Sequence, residues 1–195
     1  MGSGSNLYPA LAMLPWCGEI TLLDRSSRNV EYLCGQVADY DPVWDQYWSA
    51  LRMHKSYAAF EPPPRQRFRQ AARVRLGDLF GLADCQNRWS VGTMFFVAES
   101  ITNSLPEFER GVECFMRALS PGAPFVAGFM ERSSGYRVGG TFFPACHVDA
   151  SHVKAGLSPF ADELDVVSLE NPSMPVREGC SGMLVARGFR SFHEG

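Results

Sequence analysis

The stretch Met1-Gly2-Ser3-Gly4-Ser5-Asn6-Leu7-Tyr8, followed by the strand pattern Glu19-Ile20-Thr21-Leu22-Leu23-Asp24, decides how this chain is read. A Gly-rich turn lets the backbone approach a ligand closely, and an acid roughly 20 positions downstream at a strand tip can accept hydrogen bonds from a ribose diol. Gly2, Gly4 and Asp24 therefore outline the second half of a nucleotide-binding unit. No strand pattern precedes the glycines. Two explanations stay open: the chain lacks its N-terminal part, or the residues MGSGS are an appended linker that imitates the motif.

Downstream of the turn, Leu7, Leu11, Met13 and Leu14 predict a short helix with Pro9 in its first turn, where a missing N–H costs little. A second helix runs through Asn29, Val30, Tyr32, Leu33 and Val37. Asp41-Pro42 reads as a cap followed by proline, and Val43, Trp44, Tyr47, Trp48 and Leu51 form an apolar stripe. Pro62-Pro63-Pro64 breaks the chain. A basic helix over 65–72 leads into a strand over 73–77 and the turn Asp78-Leu79-Phe80. Residues 90–97, rich in Phe, Val and Thr, predict a buried strand. Ser104-Leu105-Pro106-Glu107 has the pattern of a capping box, opening a helix with the core stripe Phe108, Val112, Phe115, Met116 and Leu119. There follow a buried strand over 124–131, a Gly/Ser/Tyr loop over 133–140, a helix over 152–160, and two strands over 164–170 and 181–187.

Strand and helix alternate from Ile20 onward, which implies a mainly parallel sheet with helices on both faces. The last two strands lack a comparable helix between them, so the final one inserts antiparallel. The expected architecture is α/β: a doubly wound, mainly parallel Rossmann-like sheet with an antiparallel last strand and the first strand missing. One N-terminally incomplete domain over 1–195 is expected, since 195 residues with 46% apolar content suffice for one substantial core.

The net charge is −3, and the one basic concentration, Arg65, Arg67, Arg69, Arg73 and Arg75, is adequately read as the solvated face of a helix. No nucleic-acid partner is expected from such a balance. Apolar runs fall short of the ~20 residues a membrane span needs, and no signal peptide is visible, so a cytoplasmic protein without a membrane partner is expected. Cys17, Cys34, Cys85, Cys114, Cys146 and Cys180 show no C-x-x-C spacing, and His147 and His152 miss the i, i+4 spacing of a helical metal pair. No metal site is expected.

Taken in order, Gly2-Ser3-Gly4-Ser5-Asn6-Leu7-Tyr8, Leu22-Leu23-Asp24-Arg25-Ser26 with Asn29, Gly77-Asp78-Leu79, Phe96-Val97-Ala98-Glu99-Ser100, Leu119-Ser120-Pro121-Gly122-Ala123 and Met130-Glu131-Arg132-Ser133 with Tyr136 are similar to one known group. The chain resembles small-molecule methyltransferases that use S-adenosylmethionine, in the branch containing nicotinamide and phenylethanolamine N-methyltransferases and thioether S-methyltransferase. Singly these segments are weak; in this order and spacing they are specific. The resemblance implies a Rossmann-like methyltransferase sheet. Relatives begin with lid helices and a first strand, neither of which is written here, so the resemblance also implies an incomplete site and a surface left for self-association.

By that resemblance, Gly2 and Gly4 form the turn under the methionine part of the cofactor and Tyr8 reaches its carboxylate. Asp24 and Asn29 hold the ribose hydroxyls, a role suited to an acceptor-only carboxylate and an amide one helical turn later. Asp78 accepts from the adenine amino group while the Leu79 backbone N–H meets a ring nitrogen; outside this context Asp78 is an ordinary turn aspartate. Glu99 and Glu131 are expected past the ends of two buried strands, the edge where open α/β sheets bind ligands. They are the candidate catalytic acids facing a small-molecule methyl acceptor, an amine nitrogen first; the bland alternative is a solvated strand end. Tyr136 and Phe143 are the candidate walls of the acceptor pocket, or satellites of the core. A non-catalytic or truncated methyltransferase-like binding or partner subunit is the alternative reading. A nicotinamide-dinucleotide enzyme shares the Gly turn and Asp24 but not the antiparallel final strands.

Overall fold

The computed structural model describes residues 1–169 and 179–192. The backbone divides into two compact units, one of Gly2–Asp78 and one of Leu79–Gly195 together with Met1.

In the unit Gly2–Asp78, strands β1 (Ile20–Asp24) and β2 (Ala72–Leu76) pair in parallel, with Asp24 opposite Leu76. Five helices accompany them: α1 (Tyr8–Met13), α2 (Ser27–Ala38), α3 (Asp45–Leu51), α4 (Lys55–Ala58) and α5 (Pro64–Ala71). Asp41 caps the turn before α3 by accepting from the Val43 N–H at 2.8 Å. Leu11, Leu22, Leu33, Trp44, Trp48 and Phe68 meet in the core, and burying each such side chain contributes about 1.5–3 kcal/mol. Arg65, in the first turn of α5, pairs with Asp39 at 2.9 Å and Asp45 at 2.9 Å, and its guanidinium lies 4.1 Å from the centre of the Tyr40 ring. One arginine thus ties the end of α2 and the start of α3 to α5.

In the other unit, the sheet order is β3 (Gly92–Phe95), β4 (Pro124–Glu131), β8 (Gly182–Arg190), β7 (Ala161–Leu169). β3 runs parallel to β4, and β8 is antiparallel to both its neighbours, so the last strand of the chain is the inserted antiparallel one. α6 (Leu105–Ala118) buries the expected stripe of Phe108, Val112, Phe115 and Met116, with Phe108 edge-on to Phe129 at 5.7 Å. α7 (Ala150–Leu157) is the second helix.

Several expectations need correction. The first buried strand is shorter than 90–97, because Phe96 adopts φ +59° and the chain turns into a short 3-10 segment at Ala98–Ser100. Ser104 is the N-cap of α6 but its side chain makes no capping bond. The second helical position is Pro106, which has no N–H to offer, and the Glu107 carboxylate is taken by the Thr102 hydroxyl, which also accepts from the Ser104 N–H at 2.9 Å. α7 starts earlier than 152, since Asp149 caps it through the N–H groups of Ser151 at 2.9 Å and His152 at 3.1 Å. The loop over 133–140 begins a hairpin of β5 (Tyr136–Val138) and β6 (Thr141–Phe143), joined by Gly139 and Gly140 at φ +54° and +83°. Val43 and Tyr47 are exposed, and Trp44 and Trp48, with the partly buried Leu51, carry the inward stripe there. Of the strand expected over 164–170, Glu170 lies outside the described residues.

Candidate functional site

In the unit Gly2–Asp78, Asp24 ends β1 with 6% of its surface exposed. Its Oδ2 accepts from the Gly4 N–H at 2.7 Å, and its Oδ1 accepts from the Ser26 N–H at 2.9 Å and the Asn29 side-chain amide at 3.1 Å. A carboxylate offers about four acceptor positions, so roughly one stays open, on Oδ2. The Asn29 amide spends a donor on Asp24, which leaves its carbonyl as an acceptor beside the acid. Gly2 and Gly4 sit at φ +64° and +56°, the left-handed region where glycine costs least. A Cβ at Gly4 would meet nothing within 4 Å, so this glycine serves backbone conformation and leaves open space beside the carboxylate. The Gly77 N–H donates to the Asp24 carbonyl at 3.0 Å, which sets the chain position of the exposed Asp78 two residues past the end of β2 at Leu76. Tyr8 opens α1; burial first, then the neighbouring Tyr47, push its phenol upward from the usual range. The phenol therefore stays protonated and is a donor. Leu79, which begins the other unit, is buried.

In that other unit, Glu99 and Glu131 come together at the C-terminal ends of the parallel strands. Glu99, fully buried, accepts at Oε1 from the Met130 N–H at 3.1 Å and the Ser100 hydroxyl at 3.1 Å, and its carbonyl accepts from the Cys146 N–H at 2.7 Å. Burial pushes the Cys146 thiol up, and the Glu99 and Glu109 carboxylates add to that, so Cys146 is an inert neighbour. Glu131 is 7% exposed. Its Oε2 accepts from the hydroxyls of Ser181 at 3.2 Å and Ser168 at 3.5 Å, and its carbonyl accepts from the Ser181 N–H at 3.0 Å. Among the described residues no Lys, Arg or His forms a salt bridge with it. A buried carboxylate is costly unless a cationic or proton-donating partner offsets it. The Tyr136 hydroxyl donates to the Ser100 carbonyl at 3.3 Å, and its ring stacks on Phe143 at 5.3 Å and 17°. The hairpin therefore lies against the turn that carries Glu99.

The structure groups Gly4, Asp24 and Asn29 in one place, and Glu99, Glu131, Tyr136 and Phe143 in another. Ser168 and Ser181 escaped the sequence reading. Their one signal was a hydroxyl residue near the end of β7 and at the threshold of β8, beside the apolar runs Val166-Val167 and Met183-Leu184-Val185. Among the described residues no group of three or more His, Cys, Asp or Glu side chains forms a metal site, and no helix is long and apolar enough to cross a membrane.

No family model and no curated protein matches the sequence. Solved structures do match the fold. A SAM-dependent methyltransferase from Methanosarcina mazei superposes with TM-score 0.64 at 17% identity, covering 99% of this chain and 91% of its own. The N-methyltransferase NodS from Bradyrhizobium japonicum, in complex with S-adenosyl-L-homocysteine, gives TM-score 0.57 at 14% identity over 94% of this chain and 72% of its own. A DhpI–SAH complex gives 0.56 at 13% identity over 98% and 75%. The chain has the Rossmann-like α/β fold of SAM-dependent methyltransferases.

Proposed function

We propose that this protein is an enzyme that transfers a methyl group from S-adenosylmethionine to a small-molecule acceptor, an amine nitrogen first. The observation that carries the reading is the Asp24 carboxylate, buried, oriented by Gly4, Ser26 and Asn29, and left with an open acceptor position beside an empty-sided glycine turn. Those residues fit a ribose. Asp24 and the Asn29 carbonyl each accept one hydroxyl, Gly2 and Gly4 admit the methionine part, Tyr8 donates to its carboxylate, Asp78 accepts from the adenine amino group, and the Leu79 N–H meets a ring nitrogen. When bound, the cofactor supplies an electrophilic methyl on a sulfonium.

Methyl transfer of this kind is an in-line displacement, in which proximity and alignment supply most of the acceleration. Glu131 holds the acceptor nitrogen and takes its proton, directly or through water; Glu99 fixes the backbone of Met130 beside it. Tyr136 and Phe143 wall the acceptor. An amine suits the Glu131 carboxylate, and the likeness to an N-methyltransferase supports nitrogen over oxygen. These roles are similar to those in the nicotinamide and phenylethanolamine N-methyltransferase branch.

Calorimetry with S-adenosylmethionine and S-adenosylhomocysteine tests the reading: a folded sample that binds neither removes it. Acceptors are then screened as a panel of amines, thiols and thioethers. The exposed side chains Trp16, Val43 and Met53 favour a second reading, a methyltransferase-like partner subunit that self-associates. Light scattering on a cofactor-binding sample that gives a monomer mass counts against it.

A further inference from the structure

We infer that Ser181 is a positioning residue for Glu131, whose hydroxyl fixes the carboxylate through Oε2 before an amine acceptor arrives. The inference rests on the reading of Glu131 as the group that holds that amine and takes its proton. A glutamate side chain is long and rotatable, and ordering it costs entropy. A site that has already ordered its base does not meet that cost again when the acceptor binds.

Glu131 ends β4 directly opposite Gly182 of β8. Gly182 has no side chain, so the Glu131 side chain can cross over β8. Its Oε2 comes within 3.5 Å of the Ser168 hydroxyl on β7, the strand beyond. That contact is at the limit of hydrogen-bond distance and belongs to an edge strand. The Ser181 hydroxyl is nearer, at 3.2 Å from Oε2. Its own N–H donates to the Glu131 carbonyl at 3.0 Å, so the serine is tied to the backbone of the residue it orients. Two residues earlier, Gly179 takes φ +83° and its carbonyl accepts from the Ser134 N–H at 3.0 Å. A Cβ at Gly179 would lie 2.8 Å from the Ser134 hydroxyl oxygen. The chain entering β8 is thus latched at two points to the chain leaving β4, with Ser181 on the latch. Both hydroxyls meet Oε2, and Oε1 has no hydrogen bond among the described residues, so proton removal falls to Oε1.

The test is steady-state kinetics with S-adenosylmethionine and benzylamine, phenethylamine or butylamine, reading release of S-adenosylhomocysteine. Active protein is counted by calorimetry with S-adenosylhomocysteine. Ser181 lies at the surface, so its substitution spares the core. Ser181→Ala should lower kcat/KM for the amine about tenfold, the size of one hydrogen bond to a charged group, with S-adenosylhomocysteine affinity unchanged. Ser181→Thr, which keeps the hydroxyl, should recover to within about threefold of wild type, and Ser168→Ala should lose less than Ser181→Ala. In a Glu131→Gln background, Ser181→Ala should add no further loss, because a residue that acts through another has no effect once the other is gone. Wild-type kinetics in Ser181→Ala, a full loss persisting in the Glu131→Gln background, or no recovery in Ser181→Thr overturns the positioning role. So does a Ser181→Ala sample that loses S-adenosylhomocysteine sites in step with activity, which is a structural role only. Wild-type protein that binds S-adenosylhomocysteine yet methylates none of the three amines removes the amine reading of Glu131 and this inference with it. Wild-type protein that binds no S-adenosylhomocysteine removes the methyltransferase reading itself.

Discussion

Asp24→Ala is the perturbation whose consequences can be worked most fully from the structure. The substitution strands three donors, the N–H groups of Gly4 and Ser26 and the Asn29 amide, which now meet the carboxylate at 2.7, 2.9 and 3.1 Å. A hydrogen bond to a charged group contributes about 1.5–3 kcal/mol net, but all three donors are only part-buried and regain water. The expected loss of folding stability is therefore about 2–4 kcal/mol, below the simple sum. Cofactor affinity should fall by a separate amount. Roughly one acceptor position is open on Asp24, so one ribose hydroxyl is lost, which weakens binding by about ten- to a hundredfold. Asp24→Asn should cost nearly as much as alanine, since its –NH2 must face one of the same donors. Urea unfolding followed by circular dichroism reads the first quantity, and calorimetry with S-adenosylhomocysteine under native conditions reads the second. A 2′,3′-dideoxy analogue should bind wild type and variant alike. If stability and affinity both stay at wild-type values, Asp24 is a strand terminator and the cradle reading is wrong.

Glu131→Gln keeps the Ser168 and Ser181 contacts to a carbonyl oxygen but removes the charge; kcat/KM should fall roughly ten- to a hundredfold, about 1.4–2.7 kcal/mol, with S-adenosylhomocysteine affinity unchanged in calorimetry. Asp149, held well below the ordinary carboxylate range by the Ser151 hydroxyl and then the His152 N–H, stabilises the folded protein above the unfolded-state pKa and loses that effect as pH falls through its folded value. Asp149→Ala should lower the thermal midpoint at pH 7, and the gap to wild type should narrow only in strongly acidic solution, below about pH 4. Tyr40 is pushed up to about 12, first by burial and then by Asp45; a neutral phenol is favoured in the fold, so its contribution is full below about pH 10 and is lost as pH rises through about 12. Absorbance at alkaline pH should show one tyrosine ionising later than the others, and Tyr40→Phe should remove that late step.

The parts of the fold that were legible in the sequence are those where one local signal stood without a rival. The alternation after Ile20 pointed to the parallel pairs β1–β2 and β3–β4, the absence of a long helix between the last two strands to the antiparallel last strand, and the apolar stripe of α6 to its buried face. Failures came where two local signals competed. Ser104 and Glu107 have the capping-box spacing, but Pro106 withdraws a donor and Thr102, outside the motif, takes Glu107. The Gly139-Gly140 pair marked a loop, when two glycines between Val138 and Thr141 equally specify a tight hairpin turn. Tyr47 fell on an apolar stripe by spacing alone, and only the packing of Trp44 and Trp48 shows which side of that helix is inward. The contact between Asp24 and Asn29 was legible only as two candidates at a plausible spacing. That the Asn29 amide donates to Asp24 was not, because it depends on a 3.1 Å contact that no spacing encodes.

The two glutamates that the sequence treats as equivalent are separated by their surroundings. Glu99 has Oε1 committed to the Met130 backbone and to its neighbour Ser100, so its geometry is that of a brace between the end of β3 and the end of β4. Glu131 is held by two hydroxyls on a single oxygen, Oε2, which aligns the carboxylate and leaves its Oε1 without a hydrogen bond among the described residues. The backbone supports the same division. Phe96 and Arg132, the residues that leave β3 and β4, take φ +59° and +50°, a conformation that costs a non-glycine residue of order 1 kcal/mol. Strain of that kind persists where surrounding contacts over-determine it, and here the Phe96 N–H is fixed to the Gly128 carbonyl at 2.7 Å and the Arg132 N–H to the Val148 carbonyl at 2.7 Å. Both strands are thus forced to turn abruptly at their C-terminal ends, which keeps Glu131 at the rim of the sheet rather than extending past it. An acid so placed, with a rigid backbone, an aligned side chain and no countercharge among its described neighbours, is suited to holding an amine whose proton it removes as the new bond forms.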